Sequence, residues 1–83
     1  MMDSREIFSE VELRLSKVDA RVDFHAVEAG VRQDDDWWYV PVITQMKGGR
    51  PVAREFAVGI LANVETSLFE DRHVNVLLIP SQQ

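Results

Sequence analysis

The sequence predicts a single α+β domain with the element order α-β-β-α-β, in which a three-stranded sheet of order 2-1-3 carries two helices on one face. Three observations predict it. Two stretches repeat their apolar residues at helical period, the segment between them alternates with period two around a run of aspartates, and a short apolar run closed by Pro80 follows the second helix. At 83 residues the chain is too short for two ordinary domains and long enough for one modest core, so residues 1–83 are read as one unit.

Asp3 or Ser4 is placed to cap the first helix, and Glu6 stands three residues after Asp3, as a capping box requires. Ile7, Phe8, Val11, Leu15 and Val18 fall on one side of a helix over residues 4–18, and Glu10, Glu12, Arg14 and Lys17 form its solvated side. Over residues 21–44 the period changes to two, with Asp34-Asp35-Asp36 as the hairpin turn. A loop centred there pairs Arg32 with Trp37, Val31 with Trp38 and Gly30 with Tyr39. In that register Val27, Ala29, Val31, Trp38, Val40 and Val42 share one face, and Glu28, Gly30, Arg32, Trp37, Tyr39 and Pro41 share the other. Val22, Phe24 and Ala26 alternate in the opposite phase, which predicts either a bulge near Ala26-Val27 or a strand covered on both sides. Pro41 has no N–H to give a ladder, so the second strand is expected at an edge, with the last strand beside the first and antiparallel to it.

Gly48-Gly49 marks a loop, and Pro51 suits the first turn of the second helix. Val52, Ala53, Phe56, Ala57, Ile60, Leu61, Val64 and Leu68 line half of that helix, which runs to near Phe69. Gly59 either weakens it or permits close packing, and Glu70-Asp71-Arg72 is expected to end it. Residues 73–79 then form a strand with apolar residues on both faces.

Composition narrows the function classes. There is no Cys, so disulfides and thiolate metal sites are excluded, and two His leave little for a zinc site, so no cofactor is expected. The net charge of −5 works against nucleic acid and anionic lipid, and no apolar run approaches a membrane span. The polar opening Met1-Met2-Asp3-Ser4-Arg5-Glu6 does not read as a secretory signal, and a cytoplasmic location is the expectation.

Four groups of residues offer chemistry. Asp34-Asp35-Asp36 suits a hard cation, but adjacent carboxylates converge poorly and Asp equally suits a turn. Lys47-Gly48-Gly49-Arg50 before a helix offers an anion-binding loop, without P-loop spacing and with a flexible connector as the plainer reading. His25 and His73 offer acid–base groups for a small-ligand or phosphate-binding enzyme, without a recognisable nucleophile; their distance apart depends on strand placement. Trp37 and Tyr39, with Arg32, Val74 and Val76, form a candidate interaction surface, unless the aromatics pack on Arg32 and Gly30.

Residues 46–80 resemble the BolA family of small KH-type α/β proteins, in Lys47-Gly48-Gly49-Arg50, Val52-Ala53-Arg54, Leu61, and His73 through Ile79-Pro80. The resemblance implies a KH-like fold and partnership with a monothiol glutaredoxin through a shared iron–sulfur cluster, with His73 as the one retained candidate ligand. Glu55 stands where the family has a histidine, and the tight aspartate turn replaces a long loop. A KH-like topology also implies nucleic-acid binding, which the acidic balance opposes.

The residues themselves favour a non-catalytic interaction domain acting through self-association or a protein partner. Two helices cover one face of a small sheet, so a homodimer is expected on the opposite face or on the free edge of the last strand, where no Lys or Pro falls within residues 74–79. The alternative is a monomer in which Ser81-Gln82-Gln83 or the loop 45–51 folds over that edge.

Overall fold

The computed structural model describes residues 2–81. Helix α1 spans Ser4–Leu15, the edge strand β1 is His25–Ala26, a 3-10 turn covers Glu28–Gly30, and β2 is Arg32–Asp34. Strand β3 spans Trp37–Ile43, helix α2 Arg54–Arg72 and β4 Asn75–Ser81. Among the described residues the fold is α+β with two helices, and the mixed sheet has four strands rather than the expected three, because the 3-10 turn divides the first expected strand into β1 and β2.

Local sequence starts and stops the helices. Asp3 accepts the Glu6 N–H at 2.9 Å and Glu6 accepts the Asp3 N–H at 3.4 Å, so the capping box is present. The helix ends at Leu15 rather than Val18, because the Ser16 hydroxyl turns back to donate to the Leu13 carbonyl at 2.6 Å. Pro51 lies outside α2, which begins at Arg54 behind an Ala53 cap. Glu70-Asp71-Arg72 does not break that helix but forms its last turn. Asp71 and Arg72 are tied to α1: Arg14 donates to Ser67 at 2.8 Å and to Asp71 at 3.2 Å, and Arg72 donates to Glu10 at 2.9 Å. His73 then terminates α2 in the left-handed conformation, its N–H donating to the Phe69 carbonyl at 2.9 Å.

Three expectations about the sheet are corrected. Strand β3, not the first strand, is central: β1 and β2 pair with it antiparallel on one side, and β4 pairs with it parallel on the other. The order 2-1-3 and the antiparallel last strand therefore do not hold. The connection explains the direction, because α2 returns the chain to the start of β3 and Asn75 lands opposite Trp37. The hairpin register differs by two residues, Arg32 facing Tyr39, Gln33 facing Trp38 and Asp34 facing Trp37. A shift of two preserves parity, so Trp38, Val40 and Val42 are buried as the alternation predicts. The turn closes at Asp35, left-handed at φ 55°, a conformation Asp tolerates.

A proline in a central strand has a local reason. Val27 donates its N–H to the Pro41 carbonyl at 2.9 Å, so position 41 faces β1 and its missing N–H would have met the Val27 carbonyl. That carbonyl accepts from Gly30 N–H at 3.0 Å instead, and the chain leaves the ladder in the 3-10 turn. From Ala26 to Arg32 the edge chain advances six residues while β3 advances three, from Val42 to Tyr39. The phase slip in the sequence is this interruption, which begins at the foreseen position beside Ala26-Val27.

The core lies between one sheet face and both helices. Ile7, Val11 and Leu15 of α1 and Ala57, Leu61, Val64 and Leu68 of α2 meet Trp38, Val40, Val42, Val76 and Leu78, with Val22 and Phe24 closing the side. Full burial of a large apolar side chain such as Ile7, Leu61 or Leu68 stabilises by roughly 1.5–3 kcal/mol. Gly59 packs against nothing, so close packing is not its role.

Candidate functional site

The sheet face opposite the helices carries the other parity of each strand: Trp37, Tyr39, Pro41 and Ile43 of β3, and Leu77 and Ile79 of β4. Register sets Tyr39 beside Leu77 and Pro41 beside Ile79. Trp37 is 45% exposed and Leu77 42%, and the remainder are half-buried. On the other flank Arg32 lies beside Tyr39, its guanidinium 5.8 Å from the ring centroid, and Asp34 lies beside Trp37. Arg32, Trp37 and Tyr39 are thus brought together as the sequence suggests. The contact expected between Tyr39 and Gly30 is made by Pro41 instead. Val76, read as part of this surface, is only 3% exposed and belongs to the core, since the inward parity of β4 is Val76 and Leu78. Val74 is half-buried and packs against that core. Leu77, Ile79 and Ile43 complete the open face; the last strand, apolar on both sides, gave no parity by which to choose them.

On each side of the sheet a glutamate from a helix caps one outward amide. Ala26 N–H, turned away from β3, donates to Glu12 of α1. Leu78 N–H on the outer side of β4 donates to Glu65 of α2 at 2.8 Å. Pro80, two residues on and of the same parity, has no N–H to present. The last strand is therefore blunted, contrary to its reading as an open pairing template. Loop 45–51 does not fold over it: Lys47 donates to the Arg21 carbonyl and Met46 bridges Val22, on the β1 side. Gln82 and Gln83, offered as a cover for the edge, lie outside the described residues.

The two histidines do not converge. His25 pairs with Ile43 at the end of β3, whereas His73 precedes β4, whose first residue faces Trp37 at the start of β3. His73 is occupied as the helix cap and stacks edge-on against Phe69, with centroids 6.5 Å apart. His25 lines a cleft of about 410 Å³ with Glu12, Asp23, Lys17 and Lys47. Its Nε2 is 2.7 Å from Asp23 Oδ1 and its Nδ1 is 3.6 Å from Glu12 Oε2. Partial desolvation, the largest single influence, opposes charge on this ring. The hydrogen bond to Asp23 and the charges of Asp23 and Glu12 together outweigh it and hold the pKa above its ordinary 6.5. The Ser16 hydroxyl in the same lining is spent on Leu13. Among the described residues, no group of three His, Asp or Glu is arranged to hold a metal ion.

The loop Lys47-Gly48-Gly49-Arg50 engages two of its four amides with neighbouring carbonyls. Lys47 N–H donates to Arg21 and Gly49 N–H to Met46, while Gly48 and Gly49 hold positive φ of 90° and 83° to make the turn. This geometry builds a tight connector in which two of the four amides, those of Lys47 and Gly49, are already engaged. No described helix is long and apolar enough to cross a membrane. Comparison with known families, curated proteins and solved structures gives no match to this chain.

Proposed function

We propose that this protein is a non-catalytic interaction domain whose working surface is the open face of its sheet, and that the partner is a second copy of the same chain. The observation that carries this reading is the continuous row Trp37, Tyr39, Pro41 and Ile43 beside Leu77 and Ile79 on the sheet face opposite the helical core, with only Trp37 at its end bordering α2. Each large apolar side chain buried there is worth roughly 1.5–3 kcal/mol before the costs of association. The flank supports a second copy in particular. Arg32 and Asp34 share this face and form no ion pair among the described residues, so a two-fold axis passing between them would offer each the opposite charge of the second copy. Pairing through β4 is disfavoured, because Glu65 holds the Leu78 amide and Pro80 has none.

A dilution series followed by amide NMR tests this reading. Between millimolar and micromolar protein, the amides of Trp37, Tyr39, Leu77 and Ile79 shift together, while those on the outer faces of α1 and α2 stay fixed. Absence of concentration-dependent shifts, or shifts confined to the helices, overturns it.

The element order of helix, hairpin, helix and strand favours a second reading, a KH-like or BolA-like module for a redox partner or nucleic acid. Its residues are dispersed: loop 47–50 follows the end of β3, and His73 lies beyond the opposite end. Salt-sensitive binding of single-stranded RNA in the micromolar range is the result that favours it over the dimer.

A further inference from the structure

Glu12 performs two tasks with one carboxylate. One oxygen accepts the outward-pointing Ala26 amide, and the other lies 3.6 Å from His25 Nδ1. The second ring nitrogen, Nε2, is 2.7 Å from Asp23. A neutral imidazole has one N–H and one lone pair, so it satisfies only one of two carboxylates. If Nε2 keeps its proton for Asp23, the Nδ1 lone pair faces Glu12 and repels it. Only the imidazolium donates to Asp23 and at the same time sets a positive charge against Glu12.

We propose that His25 is the catch of a pH-sensitive latch: its imidazolium holds the Glu12 carboxylate on the Ala26 amide and closes the free edge of β1, and loss of the ring proton opens that edge. The other groups around the ring do not replace it. From α1 only Glu12 reaches the ring, and Lys17 beyond the helix end lines the cleft without a bond to His25. Asp19 is taken up by Arg21 at 2.8 Å, and Asp23 also accepts from Gln45 at 3.4 Å. Lys47 lines the cleft as a second cation, and Ile43 across the ladder brings no charge. The sign follows from the charge. The latch is closed below the ordinary histidine range and opens as pH rises through the folded-state value, which lies above 6.5.

Amide hydrogen exchange, normalised to intrinsic rates, tests this on the whole chain between about pH 5 and 9, with His25 titrated in the same sample by imidazole NMR. The protection factor of Ala26 falls by about fivefold or more through the His25 midpoint, the weight of one solvated contact pair. Val27, bonded to Pro41 inside the sheet, stays level. In E12Q the amide oxygen still accepts from Ala26 and the amide NH2 group faces the Nδ1 lone pair of the neutral ring, so protection no longer falls as the ring loses its proton. Ala26 protection that ignores the His25 titration, that falls in step with Val27, or that still falls as the ring deprotonates in E12Q overturns the latch.

Discussion

The ring of Pro41 fills the space that a side chain on Gly30 would need: a Cβ there would stand 2.6 Å from Pro41 Cγ and 3.1 Å from Cδ. The two residues form one device. Proline withholds a ladder donor, the Val27 carbonyl turns to the Gly30 amide, and the 3-10 turn that results brings Gly30 over the ring. Gly30 is therefore required by contact with its neighbour across the sheet.

Gly30→Ala follows from that contact. It should cost about 1–3 kcal/mol by urea denaturation, the range of an overpacked site. In a Pro41→Ala background the same change should cost little, because the ring atoms it meets are gone. Equal costs in the two backgrounds would show that the ring is not the obstacle.

Glu65→Ala should expose the Leu78 amide, lowering its exchange protection and costing about 1–2 kcal/mol, since the lost partner is charged and the site half-buried. Glu65→Gln keeps an acceptor and should retain most of both. Identical behaviour of the two variants contradicts a plug made by that hydrogen bond.

Gly59→Ala should stabilise the fold by about 0.5–1 kcal/mol, because the position is interior to α2 and an added Cβ meets nothing within 4 Å. A higher unfolding temperature with unchanged sheet amide shifts is the expected result; a lower one would mean that the helix is tighter there than its geometry shows.

Asp19 should titrate anomalously. The hydrogen bonds from the side chain and backbone of Arg21 hold its carboxyl at about 2, against the ordinary 3.8. A depressed carboxyl contributes stability that is present above the ordinary value and lost as pH falls through about 2. Carboxyl carbon NMR should place its midpoint there, and a midpoint near 3.8 would contradict the bidentate pairing.

Much of this fold is legible in the sequence, for identifiable reasons. Burial parity alone puts Trp38, Val40 and Val42 inward and Trp37, Tyr39 and Pro41 outward, and it survives a register shift of two. The helical stripes are legible because packing decides them. Strand order is not, since the rule that sends proline to an edge assumes an unbroken neighbour, and here the neighbour breaks opposite Pro41. The edge plugs are hidden for another reason. Glu12 and Glu65 bond amides 14 and 13 residues away, and on its own helix Glu12 reads as an ordinary solvated residue. The open face is half-legible: β3 declares its side, whereas β4, apolar on both, does not.

Sedimentation equilibrium at tens of micromolar tests the central claim most directly. The wild-type chain should give twice its 9.5 kDa, and Leu77→Lys, which sets a charge beside Tyr39 on the open face, should give a folded monomer with unchanged helical circular dichroism. A wild-type mass of 9.5 kDa, or a Leu77→Lys variant that still dimerises, would contradict the use proposed for that face.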